Sequence, residues 1–127
     1  MYSPAIAKQP RIGLILVHGG GWRAGSKEDY RYYGQQFAHR GYVAACINYR
    51  LAPQTRFPTP VQDVMCAIRW MRANADELTV DPDRTAPMGG SAGAHLALMA
   101  AYSAETKAFE KVGGYEDFES EVHAVVS

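Results

Sequence analysis

Thr85-Ala86-Pro87-Met88-Gly89-Gly90-Ser91-Ala92-Gly93-Ala94-His95-Leu96-Ala97 is the stretch on which the reading of this chain turns. Thr85 to Met88 predicts a strand, and Ala92 to Tyr102, apolar nearly all round, predicts a helix buried against a sheet. Between them, Gly89 to Gly93 has the spacing G-x-S-x-G. In a strand-turn-helix setting that spacing makes a turn sharp enough to strain the serine backbone and expose its hydroxyl. Only small residues at 89 and 93 leave room for such a turn. The helix that opens there aims amide donors at a carbonyl meeting the hydroxyl, favouring the negative charge that develops on it. A glycine-rich connection with an incidental serine fits the same letters, so a second feature has to decide.

That feature is His18-Gly19-Gly20-Gly21-Trp22, at the end of the apolar run Ile12 to His18. Ligands of open α/β sheets sit at the carboxyl ends of strands. Consecutive glycines there remove the side chains that would keep backbone amides away from a tetrahedral carbon. The same letters, Gly19 to Ala24, also fit the dinucleotide fingerprint G-x-G-x-x-A. Two observations set it aside: the next strand ends in Asn48-Tyr49 with no ribose-binding acid, and helix capping begins only at Ser26. A phosphate-cradling loop fits less well still, because Ser26-Lys27 has the hydroxyl and the lysine in reversed order.

The remaining segments alternate between strand and helix. Ile12 to His18 and Tyr42 to Tyr49 are short apolar runs of the kind buried on both faces of a parallel sheet. Between them Ser26 and Asp29 cap a helix with Tyr30, Tyr33, Phe37 and Ala38 on one face, and Gly41 ends it. Thr59, Pro60 and Gln62 announce a second helix carrying Val61, Val64, Met65, Ile68 and Met71 at helical spacing. Asp81 to Arg84 is expected as a turn before the third strand. Ser103 to Glu121 is expected as a polar loop, and Val122 to Ser127 as the start of a fourth strand. Alternation of this kind predicts an α/β fold, a right-handed parallel sheet of about four strands between helix layers.

Composition narrows the function classes. The 127 residues are 47% hydrophobic and 20% charged, with thirteen basic and thirteen acidic side chains that cancel. With no basic stripe, nothing argues for nucleic acid or an anionic membrane as partner. No run approaches the roughly 18 apolar residues of a membrane span, and Met1 to Pro10 lacks a signal-peptide core, so a cytoplasmic location is expected. Cys46 and Cys66 lie in apolar segments without metal-like spacing and read as buried free thiols; no metal or cofactor is expected.

Several further motifs now join the first two: Tyr49-Arg50-Leu51-Ala52-Pro53, Phe57-Pro58-Thr59-Pro60-Val61-Gln62-Asp63, Asp81-Pro82-Asp83-Arg84 and Gly89 to Ala97. In this order and approximate spacing, together with His18 to Trp22, they resemble the carboxylesterase and acetyl-esterase branch of the α/β-hydrolases, the group akin to hormone-sensitive lipase. The resemblance runs from Ile12 over nearly the whole chain. It implies a partial α/β-hydrolase fold, Ser91 as nucleophile, and the amides of Gly20, Gly21 and Ala92 as an oxyanion hole. It also implies a small-molecule ester with a short acyl group as substrate, acetylated or feruloylated sugars among them, and no cofactor. Members of that group usually exceed twice this length and supply an acid and a histidine beyond the fourth strand. By that comparison residues 1–127 are expected to form a single truncated domain lacking this segment and the family's N-terminal strands.

The chain's own histidines are weak substitutes. Asp117 and His123 follow Ser91 in the right order, but His123 is expected to pack within the fourth strand and Asp117 to lie at the sheet's opposite end. His95 is expected as a core residue, His18 as a brace for the glycine loop, and His39 at a favourable helix end. Trp22 and Tyr49 are candidates for lining a pocket, with a core role for either equally compatible. Pro87, in a central strand, would remove a ladder donor. The alternative to a hydrolase is a non-catalytic binding or assembly module that keeps the site's shape. An unpaired sheet edge would then serve self-association or a complementing chain.

Overall fold

The computed structural model describes residues 1–2, 9–106 and 108–127. Its elements are β1 (Arg11–Val17), a 3₁₀ turn (Lys27–Tyr30), α1 (Arg31–His39), β2 (Val43–Ile47), α2 (Thr59–Ala73), α3 (Ala75–Leu78), β3 (Val80–Gly89) and α4 (Ala92–Thr106). The strands are parallel in the order β2-β1-β3. With β1 in the middle, both of its faces are covered, which explains why Leu14 to Val17 are all apolar and all buried. Alternation then divides them: Ile15 and Val17 pack with Val61, Val64, Ile68 and Met71 of α2 and Leu96 and Ala100 of α4. Leu14 and Leu16 face Phe37 of α1 and Tyr42 on the other side. Each of these fully buried aliphatic side chains contributes about 1.5–3 kcal/mol relative to exposure. The result is the expected three-layer α/β arrangement, with all five apolar positions predicted for α2 buried.

Several details depart from the expectations. In place of four strands the described residues form a sheet of three, and of Val122 to Ser127 only Val126 pairs with it. The Gly89 amide donates to the Val126 carbonyl (3.0 Å) and the Val126 amide to that of Pro87 (3.1 Å). The backbone leading into this run is held elsewhere, because Arg72 of α2 donates to the carbonyls of Glu119 and Glu121. His123 is consequently exposed and outside any strand. Asp81 to Arg84 is a bulge inside β3, with Arg11 opposite Val80 but Gly13 opposite Thr85. A turn-like bond from the Asp83 amide to Asp81 Oδ1 (3.0 Å) closes it. Thr59 begins α2 without a capping bond, although Pro60 occupies the first turn as expected. The two cysteines are free but only half-buried, with burial pushing the Cys46 thiol pKa up.

Pro87 is accommodated without loss to β1. Its carbonyl faces Val126, and the N and O of one strand residue point to the same neighbour, so the missing N–H lies on the side away from β1.

Candidate active site

Two residues, Gly90 and Ser91, separate the end of β3 from the start of α4, and the chain reverses within them by placing Ser91 at φ 54°. For a residue with a side chain this left-handed geometry costs about 1–2 kcal/mol, and it leaves Ser91 exposed. The turn is closed by the Gly93 amide donating to the Gly90 carbonyl (2.9 Å), and α4 is entered through His95 donating to the Ser91 carbonyl (3.1 Å). Gly93 has to be glycine, since a β-carbon there would collide with the carbonyl oxygens of Val17 and His18 at the end of β1.

The glycine loop leaves β1 beside this turn. A β-carbon on Gly19 would stand 3.1 Å from the Gly90 carbonyl oxygen and 3.3 Å from Ser91 Cβ, so the loop lies directly against the serine. It then runs through positive φ at Gly20 (121°), Gly21 (61°) and Trp22 (62°), with the Arg23 and Ala24 amides returning to the Gly20 carbonyl. The amides of Gly20, Gly21 and Ala92 have no hydrogen-bond acceptor among the described residues.

Beneath the loop, His18 is buried. Its Nδ1 donates to the Gly19 carbonyl (2.6 Å), and its ring stacks on Tyr49 at 4.3 Å. The Tyr49 hydroxyl in turn donates to the His18 carbonyl (2.9 Å). Burial, reinforced by Tyr30, raises the pKa of this phenol and keeps it a donor. His18 and Tyr49 thus contact the glycine loop from beneath as a stacked, hydrogen-bonded pair.

Trp22 is the aromatic that does line a cavity. It projects half-exposed beside a space of about 380 Å³ bounded also by Pro53, Phe57, Leu96 and the guanidinium-bearing Arg23 and Arg56. His95 joins this wall. Expected in the core, it is exposed, one helical turn past Ser91, with Trp22 edge-on at 5.3 Å. Position 95 falls outside the apolar face defined by Leu96, Ala97 and Ala100.

Other supports were not evident from the sequence. Asp63 accepts from the Arg50 backbone amide (2.8 Å) and from its guanidinium (2.7 Å), so two motifs thirteen residues apart form one clamp beneath the cavity loop. The hydrogen bond that Arg50 donates to the Asp63 carboxylate raises the Arg50 pKa. Arg69, buried within α2, donates to the carbonyls of Val112 and Gly114 and to Ser120 Oγ. Periodicity marks neither partner, since both pairings are long-range. No described side chain is hydrogen-bonded to the Ser91 hydroxyl. Asp117 and His123 are exposed on the segment after α4 and unconnected to the elbow, and His39 closes α1.

Known proteins are similar to this chain in sequence and fold. The chain is 34% identical over 114 residues to the probable carboxylic ester hydrolase LipM of Mycobacterium tuberculosis, covering 89% of this chain and 26% of LipM. An esterase of Thermogutta terrifontis, solved with propionate bound, superposes with a TM-score of 0.83 at 32% identity, covering 98% of this chain and 47% of that one. A bacterial heroin esterase gives 0.78 at 36% identity, covering 87% and 35% respectively. The chain thus spans between a quarter and a half of the length of these three proteins. The BD-FAE family model matches residues 1–127, and the chain belongs to that family, among the carboxylesterases of the α/β-hydrolase fold related to hormone-sensitive lipase.

Proposed function

We propose that the protein containing this chain is a serine carboxylesterase acting on short acyl esters through an acyl-enzyme on Ser91. The observation that carries the proposal is the strained, exposed Ser91 lying against a loop with unengaged amides. In this reading the Ser91 oxygen attacks the ester carbonyl carbon while its proton passes to a base. The carbonyl electron pair moves onto oxygen, and the amides of Gly20, Gly21 and Ala92 stabilise the resulting charge. Collapse breaks the bond to the alcohol, which leaves with a proton. Water then repeats the sequence on the acyl-Ser91 ester, releasing the acid and restoring the hydroxyl.

The cavity beside Trp22 takes the substrate, its volume of about 380 Å³ suiting a small ligand. The related Thermogutta esterase has been solved with propionate and with butyrate bound, which supports a short acyl group.

The base lies outside the described residues. His18 is buried and committed to Gly19, while His39 and His123 are on elements away from the elbow. His95 stands against Trp22. In a serine hydrolase, losing activation of the nucleophile costs on the order of 10⁶ in turnover, while the oxyanion hole and binding retain roughly 10³–10⁴ over water. The 127-residue chain is accordingly expected to hydrolyse p-nitrophenyl acetate at a low rate shared by its Ser91→Ala variant. Robust turnover lost in Ser91→Ala would place the base within these residues, and robust turnover kept in Ser91→Ala would remove Ser91 from the reaction.

A further inference from the structure

At the end of the sheet opposite Ser91, three arginines meet. The strands are parallel, so their amino ends share one edge of the layer: Arg11 opens β1, Arg40 precedes β2, and Arg84 sits in the bulge of β3. All three line one cleft of about 220 Å³, with Pro10, Ile12, Gly41 and Tyr42 completing it. None of the three is paired with a carboxylate among the described residues. Arg40 spends part of its guanidinium on Gln36 through Nη1. Arg11 is less satisfied: its Nε is buried with no hydrogen-bond partner, and its Nη1 would lie 4.0 Å from a β-carbon on Gly41 at the cleft wall.

Three guanidinium groups around one small polar space repel one another, and a buried N–H without an acceptor costs about 1–3 kcal/mol. An anion in the cleft relieves the repulsion and gives an acceptor to the guanidinium N–H groups that reach it. Planar guanidinium forks supplied by two strands and by the end of α1 demand acceptors in several directions. A tetrahedral oxyanion offers these where a flat carboxylate does not.

We propose that this cleft binds a phosphate group, as inorganic phosphate or as the phosphate of a small monoester, at a site separate from the esterase cavity. Titration calorimetry of the full 127-residue chain with inorganic phosphate tests it, with glycerol phosphate as a second ligand. Saturable one-to-one binding is expected, weakened at least tenfold in Arg84→Gln and in Arg40→Gln and unchanged in Arg23→Gln and Arg56→Gln, which alter the esterase cavity. Tighter binding of glycerol phosphate assigns the cleft to a phosphorylated small molecule, and tighter binding of inorganic phosphate to the free ion. The proposal fails if no saturable binding occurs, if Arg84→Gln and Arg40→Gln bind normally, or if the Arg23 and Arg56 variants lose affinity equally. Arg84 lies exposed in a bulge, so its variant remains informative even if Arg11→Gln does not fold.

Discussion

At the scale of single residues, the site depends on where side chains are absent as much as on where they are present. Ser91 holds its left-handed backbone because α4 begins hard against the end of β1, and that contact exists only while residue 93 lacks a β-carbon. Gly93→Ala would drive a methyl group into two backbone carbonyls that have no room to withdraw. The expected loss is about 3 kcal/mol of stability, measurable as a lower urea midpoint with an unchanged slope. A near-neutral result would mean that the elbow is not seated on β1. The G-x-S-x-G spacing made this position legible, since the glycine requirement is local. His95 was misplaced for the opposite reason: a helix apolar nearly all round gives no weak face from which to recognise an exposed position, and only the Trp22 ring across the cavity explains where it points.

Among the elements, those defined by local pattern were readable and those defined by distant partners were not. β1, β2 and α2 follow from apolar periodicity, and the burial of Val61, Val64, Met65, Ile68 and Met71 bears this out. The bulge in β3 and the weak pairing after Ser120 were not legible, because each depends on groups far away in sequence. Arg72 takes the carbonyls of Glu119 and Glu121, and Arg69 gathers those of Val112 and Gly114. Arg69 is the stronger anchor, fully buried with Ser120 Oγ also in reach. Replacing it by methionine keeps most of the volume but strands those acceptors, so Arg69→Met should cost about 2 kcal/mol. Limited proteolysis should then cut between Val112 and Ser120 well before the rest of the chain. Protection equal to wild type would show that the segment is held by its other contacts alone.

For the molecule as a whole, the three parallel strands place their two ends in different chemical settings. The carboxyl ends carry the glycine loop and Ser91, and the amino ends carry three arginines without carboxylate partners among the described residues. Strand polarity alone brings this about, and the sequence contains it only as three scattered arginines. The end bearing the glycine loop and Ser91 stands out in the sequence because its two motifs are contiguous and each flanks a strand. The most direct test of the account is to incubate the chain for hours with a fluorophosphonate ester and map the adduct by peptide mass spectrometry. The account predicts slow formation of a single adduct on Ser91, absent from Ser91→Ala. An adduct on any other serine or tyrosine, or labelling that persists in Ser91→Ala, would contradict it.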